Sequence, residues 1–240
     1  MTSLPTLPFI DRRRFLAGSA AGLVTLARPG LVFAAEGDTL VVRGKGDIQC
    51  IDPAFQNGLI EEEVIRALFV TLNRLDDVRK GIQWLPYAAS ELSAISGSEI
   101  GFTLEDWLVW TNGYGPVTAE DVKYSFERVA DPANQSPWAY AFEMLDRVEV
   151  TGQRTGVIHL KDDYLPFWVT ALPYYMGHVV SREAVEKVGG KFTTEPPANC
   201  GPYLLDDWKP KRNLTLKSNP DWKGPKPAFA NVRFETIEDD

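Results

Sequence analysis

The run Cys200, Gly201, Pro202, Tyr203 opens a stretch that alternates apolar and polar residues as far as Leu216 and closes on Asn219, Pro220, Asp221 and Trp222. Proline fixes φ and offers no amide, so Gly-Pro makes a tight entry turn, and the alternation beyond it reads as one strand with one buried face. The one other cysteine is Cys50, about 150 residues earlier. The chain reads as coming back at Cys200 to something it began near its start.

That start is preceded by a segment with the pattern of an export signal. Arg12, Arg13 and Arg14 form a basic region, Phe15 to Ala27 is apolar and rich in small residues, and Val32, Phe33, Ala34 and Ala35 offer small-residue cleavage sites. So short a run does not comfortably span a hydrocarbon core of about 30 Å as a helix. Arg12 and Arg13 followed by Phe15 and Leu16 match the twin-arginine arrangement, and Arg28 fits it too. An ordinary secretory signal and a retained anchor are the alternatives; the apolar run is not followed by the cysteine of a lipoprotein. Residues 1–35 are therefore expected to engage the twin-arginine export machinery and to be removed near Ala34 or Ala35.

The net charge is −8, and residues 36–240 alone carry −11. An acidic balance of that size argues against nucleic acid or an anionic membrane as the main partner. Apolar content of 44% with 24% charged residues is that of a globular chain, which excludes disorder as the default. Two cysteines in an exported chain read as one disulfide, Cys50 to Cys200, with two free buried thiols as the alternative.

Along the chain, Thr39–Arg43 reads as a strand leading to the loop that carries Cys50, Ile51, Asp52 and Pro53. A helix with Asn57 as cap buries Ile60, Val64, Ala67 and Leu68, and Glu61, Glu62 and Glu63 are expected on its solvated face. Thr71–Leu75 reads as a strand, Ala88–Leu92 as a short helix after Trp84, Leu85 and Pro86, and Ile100–Leu104 as a strand. The strongest local signal is the capping box of Thr118 and Asp121, with Val122, Phe126 and Val129 at helical spacing. Ser136 and Pro137 start a further helix carrying Trp138, Tyr140, Phe142 and Leu145. Strands at Arg147–Thr151 and Gly156–Lys161 flank a hairpin turn, and helices follow at Pro166–Leu172 and from Ser181 to Val188. Residues 191–199 form a crossing, and Val232–Ile237 is a strand whose sequel, Glu238 to Asp240, reads as the lead-in of a helix.

No catalytic pattern emerges. His159 lies inside a strand and His178 in an apolar stretch, both as structural residues. Gly113 and Gly115 lack the third glycine and the lysine of a phosphate loop. No metal or cofactor set is expected. Seven tryptophans and eight tyrosines, several beside turns, suit a cleft that grips by stacking and packing; Trp138, Tyr140 and Tyr203 stand out.

Taken together, four blocks resemble the extracellular solute-binding proteins of family 5, which bind peptides, dipeptides, oligopeptides or nickel for ABC importers. They are Ile51, Asp52, Pro53; Trp110 to Gly113 with Thr118 to Val122, Tyr124, Ser125, Phe126 and Arg128; Gly201, Pro202, Tyr203; and Leu216 to Asn219 with Pro220, Trp222, Gly224, Lys226, Pro227, Asp239 and Asp240. The resemblance implies a mixed α/β fold of the type II periplasmic-binding-protein class. Residues 36–76 and 196–240 would form its first lobe and 77–195 an inserted subdomain, with a second lobe beyond Asp240.

By the same resemblance Asn57, Gly58, Leu59 and Trp138 face the ligand, with Tyr203 near the return turn. Asn57 replaces an acidic residue and Trp138 a tyrosine found in some members. The implied role is that of a non-enzymatic periplasmic receptor, which delivers an oligopeptide-like small solute to ABC permease subunits. A nickel chelate, a sugar or an opine is the alternative solute, and a twin-arginine-exported enzyme the alternative class.

Overall fold

In the computed structural model, which describes residues 32–76, 81–164 and 166–237, strands β1 (Val32–Glu36) and β2 (Thr39–Lys45) pair antiparallel about Gly37. Helix α1 (Leu59–Leu68) follows, burying Ile60, Val64, Ile65 and Leu68 on one face. β3 (Asn73–Leu75) and β4 (Trp84–Pro86) make a small ladder, and β5 (Ala89–Ala94) and β6 (Glu99–Leu104) begin a second sheet. Helix α2 (Ala119–Ala130) precedes β7 (Leu145–Val150) and β8 (Thr155–Leu160), which complete that sheet in the order β5-β6-β8-β7. After α3 (Phe167–Thr170) and α4 (Arg182–Lys187) come β9 (Tyr203–Lys209), β10 (Asn213–Ser218) and β11 (Asn231–Ile237).

The return of the chain after Cys200 takes the form of a sheet. The five-stranded order is β1-β2-β11-β10-β9, and β11 lies parallel to β2 with Val42 opposite Phe234. A parallel pair needs a crossover, and here the crossover contains everything from α1 to β10. Val41, Val42, Leu214, Leu216, Val232 and Phe234 are buried in that sheet, and most of them join the side chains of the second sheet and the helices in one continuous core. Helix α2 lies against β7, with Phe126 and Phe142 rings 5.3 Å apart and Phe142 meeting Phe167 edge-on at 5.5 Å.

Several sequence expectations are corrected. Ala88–Leu92 is not a helix; β5 occupies that stretch, because so short a helix has little stability of its own and the ladder with β6 supplies the missing hydrogen bonds. The alternating stretch from Tyr203 to Leu216 is two strands, not one, turned at Lys211, whose φ of +63° sits in the left-handed region. The helices expected after Pro137 and Pro166 are single turns, Ala139–Phe142 and Phe167–Thr170, and Leu145 belongs to β7. The arginines at 12–14, Phe15, Leu16 and the Glu238–Asp240 lead-in lie outside the described residues, whereas Ala34 and Ala35 lie in β1.

Candidate functional site

The loop between β2 and α1 is held from within by two carboxylates. Asp52 is wholly buried and takes a two-pronged contact from Arg128 of α2, Nη1 to Oδ1 at 2.9 Å and Nη2 to Oδ2 at 2.5 Å. It also accepts the amides of Ala54 (3.1 Å) and Phe192 (3.2 Å), while Arg128 donates from Nε and Nη2 to the Gly190 carbonyl. A buried pair whose carboxylate accepts four hydrogen bonds and whose guanidinium donates four largely offsets its own desolvation. The Phe55 ring lies alongside, 5.0 Å from the Arg128 guanidinium carbon and 3.8 Å from Lys191 Nζ.

Glu61 is the second clamp and corrects the expectation of a solvated acidic face. It is 3% exposed, and its two oxygens accept the amides of Gln49 (2.6 Å), Cys50 (2.8 Å), Asn57 (2.9 Å) and Gly58 (2.9 Å). The residue preceding the helix is Gly58, not Asn57, and Glu61 at the third helical position reaches back to the Gly58 amide, which is the acidic half of a capping box. One carboxylate thus closes both ends of the loop 49–58.

A third set of bonds ties this loop to the turn before the Ala139–Phe142 segment. Ser136 Oγ donates to the Ala54 carbonyl and Trp138 Nε1 to the Gln56 carbonyl, each at 2.7 Å. Asn57 and Leu59 are exposed, Leu59 at 81%, and Trp138 is half-buried with its ring 6.0 Å from that of Tyr140. Gln56 is buried, and its Oε1 meets no donor. The structure therefore brings Trp138 onto the loop that carries Asn57, Gly58 and Leu59, from a position some 80 residues away in sequence. What sequence reasoning missed here is Gln56, Glu61 and Ser136: the Glu61 bond to Gly58 follows the capping spacing, but its bonds to Gln49 and Cys50 and the bonds at Ala54 and Gln56 are made with backbone groups that no spacing rule encodes.

Tyr203 is not brought to that face. Its hydroxyl donates to the Phe229 carbonyl at 3.0 Å, and its own carbonyl accepts from Asn199. Here the return turn is anchored on the far end of α1: the Gly201 amide donates to the Leu68 carbonyl at 2.8 Å, and Asn219 grips the turn through the Gly201 and Pro202 carbonyls. Trp222 caps the arrangement, edge-on to Trp107 at 4.9 Å.

The expected disulfide is not formed in this structure. Cys50 and Cys200 are free thiols, the first half-buried with Sγ 3.8 Å from the Phe192 carbonyl, the second buried. Cys50 is tied to Glu61 in the first turn of α1, and Cys200 precedes the residue bonded to Leu68 in its last turn. Those two anchors are separated by seven residues of helix, about 10 Å along α1. Burial, above other causes, pushes both thiols up from their ordinary value.

Residues 86–240 match the family model of the bacterial extracellular solute-binding proteins, family 5 middle region. The chain belongs to family 5 of these proteins. The periplasmic oligopeptide-binding protein OppA of Salmonella typhimurium is 29% identical over 243 residues, covering 92% of this chain and 43% of its own length. Among solved structures, the murein tripeptide-binding protein MppA, in an unliganded open form, superposes with a TM-score of 0.74 at 28% identity, covering 88% of this chain and 43% of that one. NikZ of Campylobacter jejuni, solved with Ni(L-His), gives 0.72 at 24% identity, covering 85% and 40%. This family 5 chain has the mixed α/β fold of those structures and spans less than half the length of the relatives it matches. Two of the family's recognisable blocks, Asp52-Pro53 and the stretch ending at Arg128, prove to be the two halves of one buried ion pair.

Proposed function

We propose that this chain forms the solute-contacting face of a periplasmic binding protein that serves an ABC importer, and that its solute is peptide-like. The observation that carries the reading is the pair of 2.7 Å bonds from Ser136 and Trp138 to the 54–56 backbone, which sets an aromatic ring against the loop that leads into the exposed Asn57, the partly buried Gly58 and the exposed Leu59. Such a face holds an extended ligand by packing on the indole and by hydrogen bonds to amide groups. OppA and MppA are named for the peptides they bind, which supports a peptide here. In this reading residues 36–76 and 196–240 form a first lobe, 77–195 an inserted subdomain, and closure against a second lobe traps the solute for the permease. Tyr203 serves this face from a distance by fixing the return turn. Residues 1–35 direct twin-arginine export, with cleavage near Ala34 or Ala35. The chain acts as a receptor and not as an enzyme.

The Ni(L-His) complex of NikZ favours a second reading in which the solute is a small chelate; an opine or a sugar belongs to the same class of outcome. Thermal unfolding of the full chain with mixtures of di- to hexapeptides, alongside native mass spectrometry of whatever co-purifies, separates the two. The peptide reading expects a rise in melting temperature with peptides. No shift with any peptide mixture, together with a bound non-peptide mass, overturns it.

A further inference from the structure

Immediately beyond Trp138 the surface opens into a groove of about 560 Å³, walled by Tyr140, Glu143, Met144, Tyr164, Tyr174 and Met176. Pockets for small ligands commonly fall between roughly 300 and 1,000 Å³. Its three tyrosines are open to solvent, Tyr140 at 66%, Tyr164 at 36% and Tyr174 at 39% exposed, whereas Met176 is buried at 5%. Tyr140 sits 6.0 Å, ring to ring, from Trp138, so the groove continues the face that carries Asn57 and Leu59.

The lining selects among chemistries. Tyrosine faces and thioether sulfurs interact best with a flat, polarisable ring. The one charged group on the wall is the carboxylate of Glu143. The neighbouring cation, Arg66, stacks on Tyr174 at 5.9 Å and is already paired with Glu62 of the same helix, so it presents no strong anion site. A protein partner is the poorer fit, because the feature is a concavity that continues the solute-facing surface and not a flat patch.

We infer that this groove is a side-chain subsite, and that it makes aromatic residues the preferred cargo of a peptide-like solute whose backbone passes Trp138. The inference rests on the solute-binding reading above. Its chemistry is non-covalent: ring packing against Tyr140, Tyr164 and Tyr174, thioether contact with Met144 and Met176, and tolerance of a polar ring tip at the tyrosine hydroxyls.

Isothermal titration of the full chain with trialanine, its three single-phenylalanine variants and its three single-lysine variants tests this. At least one phenylalanine peptide is expected to bind about tenfold more tightly than trialanine, and no lysine peptide to gain as much. In Tyr140→Ala and Tyr174→Ala the ratio of trialanine to phenylalanine-peptide Kd falls toward one, while Tyr140→Phe, which keeps the ring, keeps the ratio; circular dichroism confirms that each variant is folded. Equal affinity for all seven peptides, or a phenylalanine preference that survives both alanine variants, overturns the subsite and leaves the solute-binding reading standing. Failure of the unmutated chain to bind any of the seven peptides overturns both.

Discussion

Arg128 and Asp52 lie 76 positions apart in sequence and form a two-pronged ion pair, with their side chains 4% and 0% exposed. The pair locks α2 to the loop that presents Asn57, so the stability of the fold and the shape of the candidate site depend on one contact. Removing one partner strands the other in the core. Arg128→Met and Asp52→Asn are each expected to cost about 3–5 kcal/mol in urea unfolding, and the double variant clearly less than the sum of the two. Strict additivity in that cycle would mean that the pair is not coupled.

Glu61 makes a different prediction because its partners are backbone amides. Glu61→Ala leaves the amides of Gln49, Cys50, Asn57 and Gly58 without their acceptor. The loss is expected to be at least the worth of one charge-assisted hydrogen bond, about 1.5–3 kcal/mol, and Glu61→Gln, which keeps one carbonyl acceptor, should lose less. Hydrogen exchange locates the effect: these four amides should exchange faster in Glu61→Ala while the amides of β10 and β11 keep their protection. Uniform acceleration across the chain would assign Glu61 a global role instead of a loop-closing one.

The free thiols give a redox and a pH test. Under native, non-reducing conditions an alkylating reagent should label Cys50 and reach Cys200 only after unfolding, and peptide mapping should find no Cys50–Cys200 bridge. Both thiols are held protonated by burial, with native values above the unfolded 9.0. The unfolded chain releases those protons first as pH rises, so the stabilisation is complete below about pH 9 and is lost progressively above it. Half-buried Tyr87, pushed up to about 12 chiefly by burial, extends the same loss across pH 10 to 12. Unfolding free energies measured from pH 8 to 12 should fall, with a shallower slope between 10 and 12 for Tyr87→Phe; a flat profile contradicts the assignment.

Gly201 is constrained by proximity and not by its dihedral angles. A methyl group there would sit 2.5 Å from the Leu68 carbonyl carbon and 2.7 Å from the Ala67 oxygen. Gly201→Ala must push the return turn off α1, at a cost of about 1–3 kcal/mol typical of overpacked sites, seen as a lowered urea midpoint. The equivalent change at Gly113, where nothing lies within 4 Å, serves as a comparison for backbone strain alone, since its φ is +81°.

Elements with a strong local signature were legible in the sequence. The capping box at Thr118 and Asp121, the buried stripe of Val122, Phe126 and Val129, and the strands around Thr39, Ile100 and Val232 all lie where periodicity placed them. The stretch at Ala88 was misread because a five-residue window of Ala, Ser, Glu and Leu carries no decisive period, and the hydrogen-bonding edge of β6 decides it. The turn at Lys211 was invisible because lysine is not a residue that announces a positive φ.

Sequence by itself determined the capped helix at Thr118 and the strands around Thr39, Ile100 and Val232, since these depend on periodicity, caps and turn residues that act within a few positions, and the class of fold came from the resemblance of four short blocks to the family. Tertiary structure alone decided that Asp52 belongs to Arg128, that Glu61 is a buried clamp and that Trp138 stands over the Gln56 carbonyl. It also decided that Cys50 and Cys200 are anchored near opposite ends of α1 as free thiols. Each of these is a contact between groups far apart in the chain, fixed by how a helix of known rise and two sheets pack on one core, and that distance is set only when the whole chain has closed on itself.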